Sequence, residues 1–446
     1  MGNVVPDLIT ESEQASYSWS AKERFWLWVV AALGVIVYGW LLTRSWVGRD
    51  QLILLQLGEN FARTGTLDPV AKGMSGGGMI PGSLLQLLIG LPLLVWQDYR
   101  APLVLIGIFN ILAAIVIYHV AKRELPSRVA AIYLVLYWIS PWHISHAAML
   151  WEPAYLFLLA ALHFWASSKL ATSKHFLASA SIGIVLLTTP QLHGSFIFLW
   201  ILTALLLWKK QLHVHWTGFV AGAILGSLTF IPTIVAAFSG TLPSSLPSEG
   251  FIGKGFLYVF PFLKGFLYWL RLPSLDLAIK ETIYLQRGWA ISAADHIVVI
   301  LLRILQGFAI ASIAISALAV WWYVKRMRAK DDRPHYTWAE RYAGYSFIAL
   351  MISAGLSPIT LQSWHVIIAL HAAVIPIAVW LGRSKEKGRL VRFYVPRYVG
   401  LSLILLIVTG LGKPSFRKTE YPPELIHMPS VRPLLPSLAD TSRSQP

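Results

Sequence analysis

The stretch SWVGRDQLILLQLGENFARTG places Asp50 beside Arg49, where the first long apolar run of the chain ends and an amphipathic segment begins. A carboxylate at such a boundary sits where lipid headgroup meets water. An unperturbed Asp, with a pKa of about 3.9, is ionised at neutral pH, and partial desolvation makes it a better base. Asp50 is therefore a candidate to accept a proton. It is also placed to cap a helix over Gln51 to Arg63 and to favour its positive dipole end. Both readings stand on the local sequence. Gln51 and Glu59 lie on the same segment and join Arg49 and Asp50 as candidate contacts to a ligand.

Two further stretches gather polar groups at the ends of apolar runs. SPWHISHAAMLWEP holds His143 and His146 one helical turn apart, with Glu152 following just before Pro153. That spacing permits metal ligation, but histidines flanked by Trp142 and Trp151 equally suit hydrogen bonding at headgroup level, and we expect no metal site. Glu152 before a proline also fits the start of a helix. TPQLHGS puts Gln191 and His193 between two short apolar helices with almost no loop. Polar groups so near hydrocarbon are costly and usually functional, or they satisfy the backbone of a tight hairpin. Cations complete the set: Lys72 near the loop GMSGGGMIPGS, and Lys254, Lys264, Arg271 and Arg287 among aromatics in a long polar stretch. Such groups suit a lipid phosphate. The glycine loop lacks the strand–loop–helix frame and lysine of a phosphate loop, so nucleotide binding is not supported.

The elements that must position these residues are apolar helices. Of 446 residues 56% are hydrophobic and only 13% charged, about half the charged share of an ordinary globular chain. Twenty Trp and seventeen Tyr suit two membrane–water interfaces. The net charge of +16 reads as cytoplasmic loop charge rather than nucleic-acid binding. The absence of cysteine excludes disulfides and thiolate metal sites. Apolar stretches begin near Phe25, Ala101, Val129, Pro153, His175, His193, Trp216, Ile297, Tyr342, Trp364 and Tyr398. The expectation is an all-α polytopic membrane protein of about eleven transmembrane helices.

Charge orders the connections. KERF, AKRELPSR, WKKQ, KRMRAKDDR and RSKEKGRLVR are basic and belong inside. The alternate connections then lie outside: residues 44–100, SPWHISHAAMLWEP, TPQLHGS, the long loop 239–296, SPITLQSW, and a Pro- and Ser-rich tail, 412–446, with no separate soluble domain. Ser83 to Trp96 is apolar but too short to span, and is expected to lie in the outer interface or as a re-entrant piece. Almost every chemically unusual side chain thus faces one side, with the N-terminus cytoplasmic and the C-terminus outside.

In this order the motifs resemble the GT-C superfamily of membrane glycosyltransferases, in particular the branch of protein O-mannosyltransferases and the lipid A aminoarabinose transferase. Asp50 and Thr64–Gly65 keep the spacing of that family's Asp-Glu pair and Thr-Gly turn, and PGSLLQLLIGLPLLVW matches a Pro-Leu-type segment. AKRELPSR and Ser140–Pro141 follow, and Trp151-Glu152-Pro153 and Gln191-Leu192-His193 are similar to Trp-Asn-Pro and Gln-Leu-His. The resemblance covers about the first 240 residues well and the rest by topology. Gln51 stands where relatives carry Glu, and Glu152 where the branch carries Asn.

The resemblance implies a GT-C-like bundle over residues 1–411 in a bacterial inner membrane. It implies inverting transfer of a sugar from a polyprenyl-phosphate donor to a hydroxyl of a glycan, lipid or protein, with Asp50 as general base and no cofactor. The chemistry is consistent with one carboxylate. A phosphate is already a good leaving group, so the two acids of glycoside hydrolysis are not needed; one base and cations to hold the phosphate suffice. Two other readings remain open from sequence: a transporter or flippase for a lipid-linked saccharide, and an O-antigen polymerase or ligase.

Overall fold

The computed structural model describes residues 21–45, 47–73, 79–242, 259–277, 293–328, 336–357, 361–383, 388–411 and 429–430. Expectations placed on Gly76 to Gly78, on Lys254 and Arg287, and on the side chain of Arg49 fall outside the described residues.

Each apolar stretch forms helix. The chain opens with α1 (Ala21–Thr43) and the amphipathic α2 (Arg49–Thr64). A short antiparallel hairpin follows, β1 (Val70–Gly73) and β2 (Met79–Pro81). Then come α3 (Leu84–Val95), α4 (Arg100–Glu124), α5 (Ser127–Trp138) and the short α6 (Pro141–Ala147). A 3-10 turn over Glu152–Tyr155 leads into α7 (Leu156–Leu170), followed by α8 (Phe176–Thr188), a second 3-10 turn at Thr189–Gln191, and α9 (Phe196–Trp208). The remainder is α10 (Trp216–Ser227), α11 (Ile231–Phe238), α12 (Val259–Arg271), α13 (Ala293–Arg328), α14 (Trp338–Gly355), the broken series α15 (Ser363–Val366), α16 (Leu370–Ala373) and α17 (Ile375–Arg383), and α18 (Gly388–Leu411).

Six segments among the described residues are long and apolar enough to cross a membrane, and the bent pair of α6 with the Glu152–Leu170 helix, turned through 117°, would make a seventh. The other anticipated crossings are shorter helices such as α5, α8 and α9. At 1.5 Å per residue a twelve-residue helix covers roughly 18 Å, less than a 30 Å hydrocarbon core. The Ser363–Arg383 segment lies at the centre, with 89% of its apolar window buried, whereas 17% of Trp216–Phe238 is buried and the rest is left for lipid.

A buried polar network pins that central segment. His163 on α7 lies 2.9 Å from the Tyr342 hydroxyl on α14 and 2.9 Å from Thr203 Oγ1 on α9. The Tyr342 hydroxyl is 3.3 Å from His371 Nε2 on α16, whose Nδ1 meets the Ile368 carbonyl at 3.1 Å. A carbonyl only accepts, so His371 donates from Nδ1 and presents Nε2 as an acceptor. Thr203 gives its proton to the Leu199 carbonyl at 2.8 Å, so His163 donates to it from Nε2, and the Nδ1 of the neutral His163 ring accepts from Tyr342. All four side chains are buried, and in a low-dielectric core each bond lost would leave a costly orphan.

The twelve-residue α3 packs on α2 and α4. Gly58 and Gly90 make that contact possible: a Cβ on Gly90 would sit 2.6 Å from the Gly58 carbonyl oxygen. Gln86, buried on α3, ties the two helices to the hairpin. It accepts from the Asp68 N–H at 2.8 Å and donates to the carbonyls of Leu57 at 3.3 Å and Thr66 at 3.2 Å. The hairpin itself was not apparent in the sequence, where GMSGGGMIPGS reads only as a permissive loop.

Candidate functional site

The site begins at the start of α2. Gly48 is the capping residue, and its N–H donates to Gln51 Oε1 at 3.0 Å. Gln51 is buried and committed to this contact. Asp50 stands in the first turn, exposed, and makes no hydrogen bond or ion pair among the described residues. Its carboxylate therefore benefits from the helix dipole without serving as the cap, and it lies within reach of the charge on Glu152.

Lys72 on β1 reaches across to the turn before α7. Its Nζ lies 2.7 Å from Glu152 Oε1, with 15% of the lysine side chain and 5% of the glutamate side chain exposed. The second oxygen, Oε2, is buried and has no partner among the described residues. The hairpin carrying Lys72 is held by α11 and by the 3-10 turn Leu228–Phe230 that precedes it. The Gly82 N–H donates to Thr233 Oγ1 at 2.8 Å, Thr233 in turn donates to the Pro69 carbonyl, and the Ser83 N–H donates to the Thr229 carbonyl at 2.9 Å. Gly82 adopts φ 86°, and a Cβ there would strike Gln191 at 2.2 Å, so glycine is required on both counts.

Gln191 completes this clasp. Its Nε2 donates to the carbonyls of Leu187 at 3.0 Å and Gly226 at 2.9 Å, and its Oε1 accepts from Thr229 at 2.6 Å. With every polar atom engaged and no exposure, it holds backbone rather than facing a ligand. His193 faces the site. It lies within reach of the Lys72 charge, 2.7 Å by Nδ1 from Ser195 Oγ, and 5.6 Å between ring centres from His365. Ser195 donates to the His365 carbonyl at 2.8 Å, binding the start of α9 to α15.

His365 brings the far wall of the site with it. Trp364 and Trp151 stand 5.4 Å apart by ring centres, and His146 stacks on Trp151 at 6.1 Å. Beyond His365 come Lys264 and then Arg271, both on α12, each acting on its neighbour electrostatically. Burial and the Arg271 charge hold the Lys264 ammonium below its ordinary value. Arg271 is ion-paired to Asp276 and lies over the rings of Tyr268 at 4.8 Å and Trp142 at 5.9 Å. Asp50, Glu152, Lys72, His193, His365, Lys264 and Arg271 thus form a polar track in which each group is linked to the next by an ion pair, a ring contact or electrostatic reach.

Other residues named from sequence have different surroundings. His143 is buried between Tyr137 and Phe157, each 4.8 Å away by ring centres, with Nδ1 3.5 Å from the Trp138 carbonyl. It belongs to the core rather than to headgroup level. His146 borders the track through Trp151, while its Nδ1 meets the Trp142 carbonyl at 2.9 Å. Glu59 accepts from Ser430 at 2.7 Å, and the Ser430 carbonyl accepts from the Tyr99 N–H at 3.0 Å. That pair anchors a point of the tail to α2 and α4. His365 and Trp364 were missed; the signal was a Trp–His pair at the start of an apolar run, the pattern already seen in Trp142–His143.

The track offers a carboxylate with no partner among the described residues, and cations beside aromatic faces. That combination can take a proton from a hydroxyl and hold a phosphate. Among the described residues no three His, Asp or Glu side chains gather as a metal ion would need.

No family model matches this chain, and no curated protein matches it. Solved structures do. The chain is similar to ArnT from Cupriavidus metallidurans bound to undecaprenyl phosphate, with TM-score 0.54 and 11% identity, over 88% of this chain and 76% of that one. It is similar to the apo state of the same protein at TM-score 0.54 and 12% identity, with the same coverage. At this identity the likeness shows the fold alone, a polytopic, mostly helical membrane bundle.

Proposed function

We propose that this protein is a membrane glycosyltransferase that moves a sugar from a polyprenyl-phosphate carrier to an acceptor hydroxyl at the outer membrane face. One observation carries the reading. In a fold shared with ArnT, of which one structure holds undecaprenyl phosphate, the Asp50 carboxylate, unpartnered among the described residues, sits at the end of a track of cations and aromatic rings.

The chemistry follows from that arrangement. Asp50 takes the proton of the acceptor hydroxyl as its oxygen attacks the anomeric carbon. The bond from that carbon to the phosphate oxygen breaks, and the carrier leaves as polyprenyl phosphate. Attack opposite the leaving group inverts the anomeric centre. Lys72, Lys264 and Arg271 take up the charge that develops on the phosphate. The indoles of Trp151 and Trp364 supply apolar faces for the sugar ring. His146 and His193 border the same space and are its polar contacts, while Glu152 bears on it through Lys72. The acceptor is a hydroxyl of a glycan, lipid or protein.

The deciding experiment is lipid analysis of a strain lacking the gene. One polyprenyl-phosphate sugar should accumulate, and the purified protein should transfer that sugar in nanodiscs. An unchanged lipid pool, together with no binding of undecaprenyl phosphate by the purified protein, would rule the reading out.

A further inference from the structure

The cation beside Glu152 is already engaged. Lys72 and Glu152 come from distant parts of the chain, a hairpin strand and the turn before α7, and meet at 2.7 Å with little exposure on either side. Glu152 uses one oxygen for Lys72 and leaves the other buried with no partner among the described residues. A buried acid with half its accepting capacity idle is poor as a structural clasp, since an unsatisfied acceptor carries a desolvation cost. The same hairpin is already secured without it, through Gly82, Thr233, Gln86 and Thr229. Something other than holding the fold is needed to explain the pair.

We infer that Glu152 is an internal stand-in for the donor phosphate, an anion that holds Lys72 in the empty site and competes with the lipid phosphate for its ammonium. The inference rests on the reading of Lys72 as a phosphate ligand. Two anions then contend for one buried cation, with the Asp50 carboxylate adding negative charge on the side of Glu152. Phosphate binds only to the fraction of molecules in which Lys72 is released, so its apparent affinity is lowered by that fraction. The arrangement also serves turnover. Once the sugar has been transferred, Glu152 retakes Lys72 and helps to expel the polyprenyl phosphate product. Glu152 is thus a positioning residue that acts through Lys72.

The test measures binding of undecaprenyl phosphate to the full chain in nanodiscs, for wild type, Lys72→Met, Glu152→Gln and the double variant. Glu152→Gln is expected to bind about tenfold more tightly than wild type, as for loss of a competing close charge. Lys72→Met should bind at least tenfold more weakly. In the double variant the gain should vanish, because Glu152 acts only through Lys72. Glu152→Asp, which keeps the charge but withdraws it, should tighten binding by less than Glu152→Gln and serves if the latter fails to fold. In transfer assays Glu152→Gln should lower KM and kcat together, because product leaves slowly. Equal or weaker binding by Glu152→Gln, with Lys72→Met still impaired, overturns the inference and leaves the proposed function standing. If wild type itself does not bind, both fall.

Discussion

The Gly48 N–H donates to Gln51 Oε1 at 3.0 Å. The start of α2 is thus capped by the residue after Asp50, and the Asp50 carboxylate is left exposed, with no bond to a described residue and with Glu152 within reach of its charge. In sequence the cap could fall on Asp50; in the fold it falls on Gln51, which leaves Asp50 for the base role proposed above.

Asp50→Asn should therefore separate activity from stability. Transfer should fall by roughly 10²–10⁴-fold, the usual contribution of a general base. Thermal unfolding should move by no more than about 0.5 kcal/mol, as for an exposed position. Full transfer by the purified variant would return Asp50 to a merely local role.

Gln51 should show the opposite pattern. Gln51→Ala removes the acceptor for Gly48 and should cost about 1 kcal/mol, the scale of a lost cap. Gln51→Glu keeps an oxygen there and should recover most of that loss. Denaturant or thermal titrations in detergent would read both.

The alkaline limb of lipid-phosphate binding should report Lys264. Burial and Arg271 lower its pKa from the ordinary 10.5, so the ammonium loses its proton earlier than a surface lysine as pH rises. The charged form binds phosphate; affinity is therefore full at low pH and declines as pH rises through the lowered value. Stability runs the other way, because deprotonation relieves a buried charge and folding is favoured as pH increases between the lowered value and 10.5. Lys264→Arg should shift the binding limb upward, since Arg stays charged. An unshifted limb would remove Lys264 from the phosphate site.

Tyr342→Phe should destabilise without touching the ligand. It removes the hydroxyl that joins His163 and His371 and leaves ring nitrogens of both unpaired in the core, a loss of about 1–3 kcal/mol. Undecaprenyl phosphate affinity measured on the folded fraction should not change. A large affinity loss would extend the functional site into the bundle.

Orientation is open to labelling because the chain has no native cysteine. Asn60→Cys, exposed on α2, should react with an impermeant maleimide in intact spheroplasts, and Thr172→Cys, exposed after α7, only after lysis. The reverse pattern would place the Asp50 end of the bundle inside.

Helix content and the concentration of polar groups at connections were readable from composition and hydropathy, because lipid imposes apolar helices and makes every ionisable group near them expensive. Asp50 was readable for the same reason, and the amphipathic α2 behind it from its periodicity. The division of labour within GRDQ was not, because capping depends on which side chain turns back to the Gly48 N–H. Gln191 and Glu152 show the limit most plainly. Both looked alike from sequence, as polar residues beside a proline at the end of an apolar run. The fold surrounds Gln191 with two carbonyls and a threonine and makes it a clasp, while it brings Glu152 to the lysine of a hairpin that periodicity did not reveal. Sequence by itself determined which residues could not be buried cheaply and hence at which end of the helices they gather. Only the tertiary structure decided which of them are satisfied by their own backbone and which remain for a ligand, because that depends on partners far apart in the chain meeting within hydrogen-bond distance.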